Sequence, residues 1–366
     1  MEFKDKKLGM IWDKIGAGGR LEAREGLDLF RSSDLLGLGR MANRIKENKT
    51  GNRVTYVINR QINPTNICVL SCRFCDFGTK KSRGNAYEMT LEEVLSKCSP
   101  ELREVHIVGG LDQEWPFERY LNIVRSIHEK FPDIQIKAYT AVEIDFFART
   151  EKCPVRDILV RLKEAGLVCL PGGGAEVFSE RVRKALFPFK IGAPRWLLIH
   201  KTAHELGIRT NSTLLYGHME TYEERVDHML KLRKLQDETG GFLSFIPLAY
   251  QPGKTKVVER QASAIEDLKT ISVARILLDN FDHIKSYWVT IGEETASIAL
   301  HFGADDLDGT IGEEKIMHAA QSQSPRGLAR ERLENLIRSA KREPFERDAL
   351  YNIYPPRQIA ELALAH

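Results

Sequence analysis

Several features that mark particular classes of protein are rare or absent in this sequence. Only six of its 366 residues are cysteine, which is few for a disulfide framework. The longest uncharged apolar stretches, such as Trp196 to Ile199, fall far short of the ~20 residues that a membrane-spanning helix needs. Met1 to Trp12 alternates charged and apolar residues and lacks the apolar centre of a signal peptide. We therefore expect a soluble protein of the cytoplasm.

An excess of charge of one sign is also absent. The chain has 54 basic and 51 acidic residues and a net charge of +3, a balance that does not indicate nucleic acid or an anionic membrane as a partner. Hydrophobic residues make up 42% of the chain and charged residues 29%, near the globular average, which excludes disorder and fibres. A chain of this length can bury a large core, so we expect one large domain or one domain with an appendage.

The middle of the chain alternates short apolar runs with longer helical patterns. This alternation predicts right-handed βαβ units and a parallel sheet. The predicted strands are Thr55–Asn63, Glu104–Val108, Ile134–Tyr139, Leu167–Leu170, Arg209–Leu215, Phe242–Leu248, Ile284–Val289 and Ala304–Thr310. Eight such units over roughly 260 residues match a closed (β/α)8 TIM-type barrel. A doubly wound open sheet is the alternative.

The two ends of the chain differ from this pattern. Residues 1–48 are charged and predicted to form an N-terminal helical extension, followed by the barrel over residues 49–320. Residues 321–366 are predicted to form a helical tail packed on the barrel, interrupted at Pro355 and Pro356.

The strongest motif is a cluster of three cysteines, Cys68, Cys72 and Cys75, on the loop after the first predicted strand. Active residues of such barrels lie at the carboxyl ends of the strands. Structural zinc needs four closed ligands, so it would require a distant fourth partner such as Cys98 or His106. Ferredoxin motifs have a tighter spacing and a fourth cysteine. Three thiolates leave one corner of a cluster open, which predicts a catalytic iron–sulfur site, with zinc as the alternative.

The C-x3-C-x2-C spacing, with Phe74 directly before the third cysteine, resembles the signature of the radical S-adenosylmethionine (SAM) enzymes. The resemblance implies a 4Fe–4S cluster on the three cysteines, with SAM bound at the open iron and Phe74 near the adenine. It also implies that the backbone of Gly109 and Gly110, after the second strand, reaches the methionine amino group, because glycine permits close approach. A core position for Phe74 and a simple turn at the glycines are the structural alternatives.

Three further residues are candidates for contacts to SAM. Glu176, after the fourth strand, is predicted to hold the ribose hydroxyls, since a carboxylate accepts two hydrogen bonds; the alternative is an acid at a helix start. Arg183 and Arg195 are candidates for the methionine carboxylate, because a guanidinium binds carboxylates through two hydrogen bonds. The alternative for both arginines is a solvated helix surface.

Most of the chain, from about Val54 to about Ala320, resembles the aminofutalosine synthases of the futalosine route to menaquinone. The segments that carry the resemblance are Ile62–Phe77, His106–Leu111, Lys137–Asp145, Leu170–Phe178, Arg209–Glu220 and Ala304–Glu314. The dehypoxanthine futalosine cyclase and the enzymes that build the deazaflavin chromophore are related alternatives. The segment Asp76–Lys81 departs from the family pattern.

The resemblance implies a transferase that forms a C–C bond. The 5′-deoxyadenosyl radical from SAM adds to the vinyl carbon of 3-[(1-carboxyvinyl)oxy]benzoate, with decarboxylation, and a flavodoxin- or ferredoxin-type reductant is expected. Tyr216 and His218, which follow the fifth strand, are candidate catalytic residues because of their hydroxyl and imidazole groups. Thr213, on the same strand, is a candidate substrate contact through its hydroxyl group. Asp306, in the last βα turn, is a further candidate contact. A non-catalytic iron–sulfur or zinc protein is the alternative of another class.

Overall fold

A curled parallel sheet forms the centre of the computed structural model, which describes residues 1–354. The strands are β1 (Arg53–Val57), β2 (Asn59–Ile62), β3 (Glu104–Ile107), β4 (Gln135–Ala138), β5 (Leu167–Leu170), β6 (Arg209–Tyr216), β7 (Phe242–Ala249), β8 (His283–Ile284), β9 (Asp306–Gly309) and β10 (Glu343–Arg347). Seven of them pair in the order β2-β3-β4-β5-β6-β7-β8, and every neighbouring pair is parallel. The order follows the chain, as the predicted βαβ units require.

The remaining three strands form a second parallel sheet in the order β10-β1-β9. Ile58 alone separates β1 from β2, and a parallel bridge between Lys285 and Asp306 joins the end of β8 to β9. The ring of strands therefore continues from β8 through β9 to β1. The predicted TIM-type α/β barrel class is confirmed, and the open doubly wound sheet is excluded.

Helices connect the strands and cover the outside of the barrel. They are α1 (Lys6–Gly16), α2 (Ala23–Arg31), α3 (Leu35–Thr50), α4 (Leu91–Ser96), α5 (Phe117–Lys130), α6 (Ala141–Thr150), α7 (Val155–Glu164), α8 (Glu180–Leu186), α9 (Ala193–Glu205), α10 (Tyr222–Thr239), α11 (Ala264–Leu277), α12 (Trp288–Ile291), α13 (Glu293–Ala299), α14 (Ile316–Ala319) and α15 (Arg330–Ser339). Thr90, Thr140 and Thr221 start helices with capping boxes, in which a glutamate three residues on completes the cap. Within residues 1–354, no helix combines the length and apolarity needed to cross a membrane.

The structure differs from the sequence prediction at several elements, among them the following three. The strand predicted over Ile284–Val289 ends at Ile284, because Trp288 begins a short helix and donates its indole N–H to Gly309 O at 3.1 Å. Helix α6 was not predicted. The tail predicted to be helical contains α15 but also β10, which pairs with β1 along its full length; Pro355 and Pro356 lie outside the described residues.

Candidate active site

A cavity of about 290 Å³ opens at the carboxyl ends of the barrel strands. Its walls come from the loops after β2, β3, β4, β5 and β7, and from the segment after β9. Apolar side chains contribute much of the lining: Leu70, Val108, Leu111, Val142, Leu215, Ile246 and Leu248. This is the position that barrel architecture assigns to an active site.

The three clustered cysteines all line this cavity, and none forms a disulfide. The backbone N–H of Cys75 donates to Cys72 O at 3.2 Å, and the Lys80 ammonium donates to the carbonyls of Cys68 and Val69 at 3.0 and 2.8 Å. Burial raises the pKa of Cys72 to about 11, and the charges of the neighbouring thiols act in the same direction. The Cys72 thiol is therefore protonated near neutral pH until a metal ion binds it.

The donor set fits an iron–sulfur cluster better than structural zinc. In the described part of the chain, no three His, Cys, Asp or Glu side chains are arranged to hold a metal ion. Cys98 and Cys169 are hydrogen-bonded to Val94 O and to the Asn211 amide, and neither lines the cavity. Three cavity thiols without a fourth match a cluster with one open iron, whereas structural zinc needs four closed protein ligands.

Gly109 and Gly110 allow the loop after β3 to pack directly on the cysteine loop. A methyl group on Gly110 would lie 2.0 Å from Ile67 O, and the Gly110 N–H donates to Thr65 O at 2.8 Å. The Gly109 N–H donates to Glu143 Oε1 at 3.1 Å. Both glycines line the cavity, so they serve loop packing as well as offering backbone to a ligand.

Lys190, which the sequence prediction missed, is the cation at the cysteine end of the cavity. Its ammonium forms an ion pair with Glu176 and lies 5.0 Å from the centroid of the Phe74 ring. Burial alone would lower the pKa of Lys190, but the charges of Glu176 and of the Cys72 and Cys75 sulfurs raise it above its ordinary value. Lys190 therefore remains charged beside the thiols.

Glu143, on the first turn of α6, is a second residue that was missed. It lines the cavity, and its carboxylate accepts from the N–H groups of Gly109 and Thr140 at 3.1 and 2.6 Å. Burial raises the pKa of Glu143 to about 7, against the effect of these hydrogen bonds. A T-x-x-E capping box starting at Thr140 was the sequence signal that could have revealed α6.

Of the four side chains predicted to contact SAM, two line the cavity and two do not. Phe74 and Glu176 lie in the lining. Arg183 is outside it, because its guanidinium binds the Glu180 carboxylate and Pro188 O, both at 2.7 Å. Arg195 is also outside it and binds Asp145 at 2.7 Å. The arginine predictions do not fit these positions.

The strand-end candidates divide in the same way. Thr213 lines the cavity and donates to Gly172 O at 2.8 Å. Tyr216 faces away from it and donates to Asp267 at 2.7 Å. Both ring nitrogens of His218 bind backbone, at Leu215 O and at the Met219 N–H. Neither Tyr216 nor His218 lines the cavity within the described residues, and their catalytic role stays a prediction.

Asp306 is likewise outside the cavity lining. Its carboxylate pairs with Arg347 at 2.6 Å and accepts from the Thr55 hydroxyl at 2.7 Å. Both charged groups are fully buried. Asp306 therefore joins β9 to β10 and β1, and its contact with substrate stays a prediction.

Comparison with known proteins adds two family models and a set of similar chains. The model of the radical SAM superfamily matches residues 62–232, and that of the CofH/MqnC C-terminal region matches residues 239–360. Aminodeoxyfutalosine synthase of Thermus thermophilus is 45% identical over 95% of this chain and 96% of its own. The Streptomyces coelicolor enzyme of the same name is 41% identical over 93% and 92%.

More distant similarities concern a related activity and the fold. Cyclic dehypoxanthine futalosine synthase of Streptomyces coelicolor is 37% identical over 94% of this chain and 88% of its own. Among solved structures, methylornithine synthase (PylB) has a TM-score of 0.74 at 17% identity, covering 91% of this chain and 97% of that one. The maturase HydG of Carboxydothermus hydrogenoformans has a TM-score of 0.72 at 17% identity, covering 94% and 81%. These two structures match the barrel fold.

Proposed function

The chain belongs to the radical SAM superfamily, to the group that contains the aminodeoxyfutalosine synthases, and on this premise we propose that it catalyses the reaction of those synthases. The reaction joins the 5′-deoxyadenosyl group of SAM to 3-[(1-carboxyvinyl)oxy]benzoate, with loss of a carboxylate. The observation that carries the proposal is 45% identity along nearly the whole chain, together with three thiols in one barrel cavity.

Cys68, Cys72 and Cys75 are the residues that would hold a 4Fe–4S cluster. When bound, the cluster supplies the electron that cleaves SAM to the 5′-deoxyadenosyl radical. The cysteines come from one loop that is closed by its own backbone hydrogen bonds and by Lys80. A fourth cysteine does not line the cavity within the described residues, which leaves one iron for SAM.

Lys190 takes the place that the sequence prediction gave to the arginines. Its buried ammonium lies on the cysteine side of the cavity, where it can bind the methionine carboxylate. Glu176 is its present partner, and it becomes available to the ribose hydroxyls when Lys190 binds that carboxylate. Gly109 and Gly110 offer backbone to the amino group, and Phe74 offers its ring to the adenine.

The remaining cavity wall positions the acceptor and protects the radical. Val108, Leu215, Ile246 and Leu248 present aliphatic side chains without polar hydrogens, and Thr213 donates its only hydroxyl proton to Gly172 O. Near-attack geometry is the main contribution that a protein can make to such an addition. We assign this wall to the aromatic ring of the acceptor.

The related cyclase reaction is the second candidate, because cyclic dehypoxanthine futalosine synthase is 37% identical over 94% of the chain. The two reactions differ in the fate of the adenosyl group. A synthase incorporates it in the product, whereas hydrogen abstraction releases free 5′-deoxyadenosine. A flavodoxin- or ferredoxin-type protein of the cytoplasm is the proposed electron donor in both cases.

The test is anaerobic reconstitution of the cluster, followed by incubation with dithionite, SAM and 3-[(1-carboxyvinyl)oxy]benzoate and mass analysis of the products. An adduct of the deoxyadenosyl group that has lost carbon dioxide supports the proposal. Free 5′-deoxyadenosine without adduct indicates a radical SAM enzyme with another substrate in the superfamily, and no cleavage by a fully loaded enzyme rejects both candidates. Cys75→Ser should abolish the reaction, whereas Cys153→Ser, outside the cavity, is the matched control.

A further inference from the structure

A row of polar side chains crosses the interior of the barrel below the cysteine end of the cavity. Strand register pairs Gln61 with His106, His106 with Lys137, and Lys137 with Cys169. Residues that pair in register on neighbouring parallel strands point to the same face, and the first three line the cavity. Gln61, His106 and Lys137 are called the polar row below.

The polar row lies deeper in the barrel than the glycine loop. Gly109 follows His106 by three residues, and a strand rises ~3.3 Å per residue, so the row is on the order of 10 Å further in. The aliphatic wall of Val108, Leu215, Ile246 and Leu248 lines the same cavity. A ligand that reaches both ends must therefore be elongated, with an apolar middle.

His106 has an unused hydrogen-bonding atom in this row. Its Nε2 is buried and has no hydrogen-bond partner among the described residues. Burial, reinforced by the charge of Lys137, lowers the pKa of His106 to about 3, so the ring is neutral and has one N–H to donate. Buried polar atoms of native proteins normally have partners, and this one indicates a ligand group.

Lys137 supplies a fixed positive charge next to His106. Its ammonium lies 2.5 Å from the Glu104 carboxylate. Burial would lower the pKa of Lys137, but the charges of Glu104 and Asp308 raise it. An ammonium carries three donors, and Glu104 Oε1 is the one partner that lies within ion-pair distance of it in residues 1–354.

The carboxylate that β9 contributes to the cavity does not cancel this charge. Asp308 lines the cavity, but its Oδ1 lies 3.3 Å from Lys285 Nζ and 3.9 Å from an Arg347 nitrogen. Lys285 and Arg347 therefore offset part of its negative charge, although Asp308 still raises the pKa of Lys137. Donors prevail in the polar row, and the ligand group that suits them is an anion.

We propose that His106 and Lys137 bind the benzoate carboxylate of the acceptor, with the Gln61 amide beside them. The inference rests on the proposed function and assigns the orientation of its substrate. The vinyl carbon must meet the adenosyl carbon at the cysteine end, so the ring lies along the aliphatic wall and its carboxylate reaches the polar row. The carboxylate that is lost in the reaction then lies at the other end of the molecule.

The test compares the substrate with its benzamide analogue, in which a neutral carboxamide replaces the benzoate carboxylate. Binding of each is measured by equilibrium dialysis, so that the result does not depend on turnover. Wild-type enzyme is expected to prefer the carboxylate roughly 10-fold to 100-fold, as for hydrogen bonds to a charged group. His106→Gln and the charge-balanced double variant Glu104→Gln/Lys137→Gln should each remove most of this preference.

Lys97→Gln is the matched control, since Lys97 is also part of an ion pair, with Glu313, but lies outside the cavity. It should keep the wild-type preference. The inference would be overturned if His106→Gln and Glu104→Gln/Lys137→Gln both kept the wild-type preference for the carboxylate. Equal binding of acid and amide by the wild-type enzyme would also overturn it. Tight, His106-dependent binding of a substrate that is never converted would instead reject the proposed function and leave the carboxylate site standing.

Discussion

Replacing Lys190 by glutamine is expected to weaken SAM binding while the cluster still assembles. The Lys190 ammonium is buried, pairs with Glu176 and lies 5.0 Å from the Phe74 ring centroid. Glutamine keeps most of the side-chain volume and removes the charge. Because the three cysteines lie on a separate loop held by its own hydrogen bonds, cluster loading should be unaffected.

The magnitude follows from two effects of the substitution. A hydrogen bond to a charged group contributes about 1.5–3 kcal/mol, which corresponds to roughly a 10-fold to 100-fold loss of affinity. The substitution also leaves the Glu176 carboxylate, whose side chain is only 11% exposed, unpaired beside the incoming methionine carboxylate. We therefore expect Lys190→Gln to lose SAM affinity by ~100-fold. The double variant Glu176→Gln/Lys190→Gln removes this repulsion and should lose SAM affinity by only ~10-fold.

The assay is equilibrium dialysis of labelled SAM against anaerobically reconstituted enzyme, with iron and sulfide content measured on the same samples. Lys184→Gln is the control, because Lys184 is an exposed lysine of the neighbouring helix α8. Arg183→Gln tests the alternative that Arg183, and not Lys190, binds the methionine carboxylate. This variant should bind SAM normally. Normal binding by Lys190→Gln at full cluster content, with a loss in Arg183→Gln, would refute the reasoning.

Three further predictions concern the packing and charges around the site. Gly110→Ala should lose most of its reconstituted iron, because the new methyl would lie 2.0 Å from a cysteine-loop carbonyl oxygen, whereas Gly84→Ala, with open space around it, should keep it. Asp306→Asn leaves the buried Arg347 guanidinium without its 2.6 Å partner and should lower the free energy of unfolding by about 3–5 kcal/mol in urea titrations. Burial would raise the pKa of Glu104, but its ion pairs lower it from 4.5 to about 2. The stability that Glu104 contributes, about 3 kcal/mol, is fully present above pH 4.5 and is lost as the pH falls to 2. In Glu104→Gln, the free energy of unfolding should therefore change less between these pH values than in the wild type.

Much of the barrel could be predicted because its strands and helices carry local signals. The predicted β5 and α5 match the observed bounds, since apolar runs and helix starts fix them within a few residues. Helix α12 could not be predicted from the apolar run that contains it, because its first residue, Trp288, is held by the distant Gly309 O. Strand β10 is short, charged and contains Pro344, so only its pairing with β1 makes it a strand.

The sequence brought together the cavity residues that one loop supplies and missed residues that come from other segments. Cys68, Cys72 and Cys75 come from a single motif and line one cavity. Lys190 lies in an irregular segment after α8, and no local pattern brings it to the cysteines. The position of Tyr216 outside the cavity could have been foreseen, because side chains alternate along a strand and Thr213 and Tyr216, three positions apart, face opposite sides.

The C-terminal strand β10 supports the residues at the deep end of the cavity. Arg347, on β10, pairs with Asp306 of β9 and lies 3.8 Å from the Glu104 carboxylate. Glu104 in turn holds the Lys137 ammonium, so a residue near the end of the described chain contributes to the position of the proposed substrate contact. A buried carboxylate that is shared between two cations is fixed more firmly than one held by a single cation, because losing either partner leaves a buried charge uncompensated. The pairing of β10 with β1 therefore supports the orientation of Lys137.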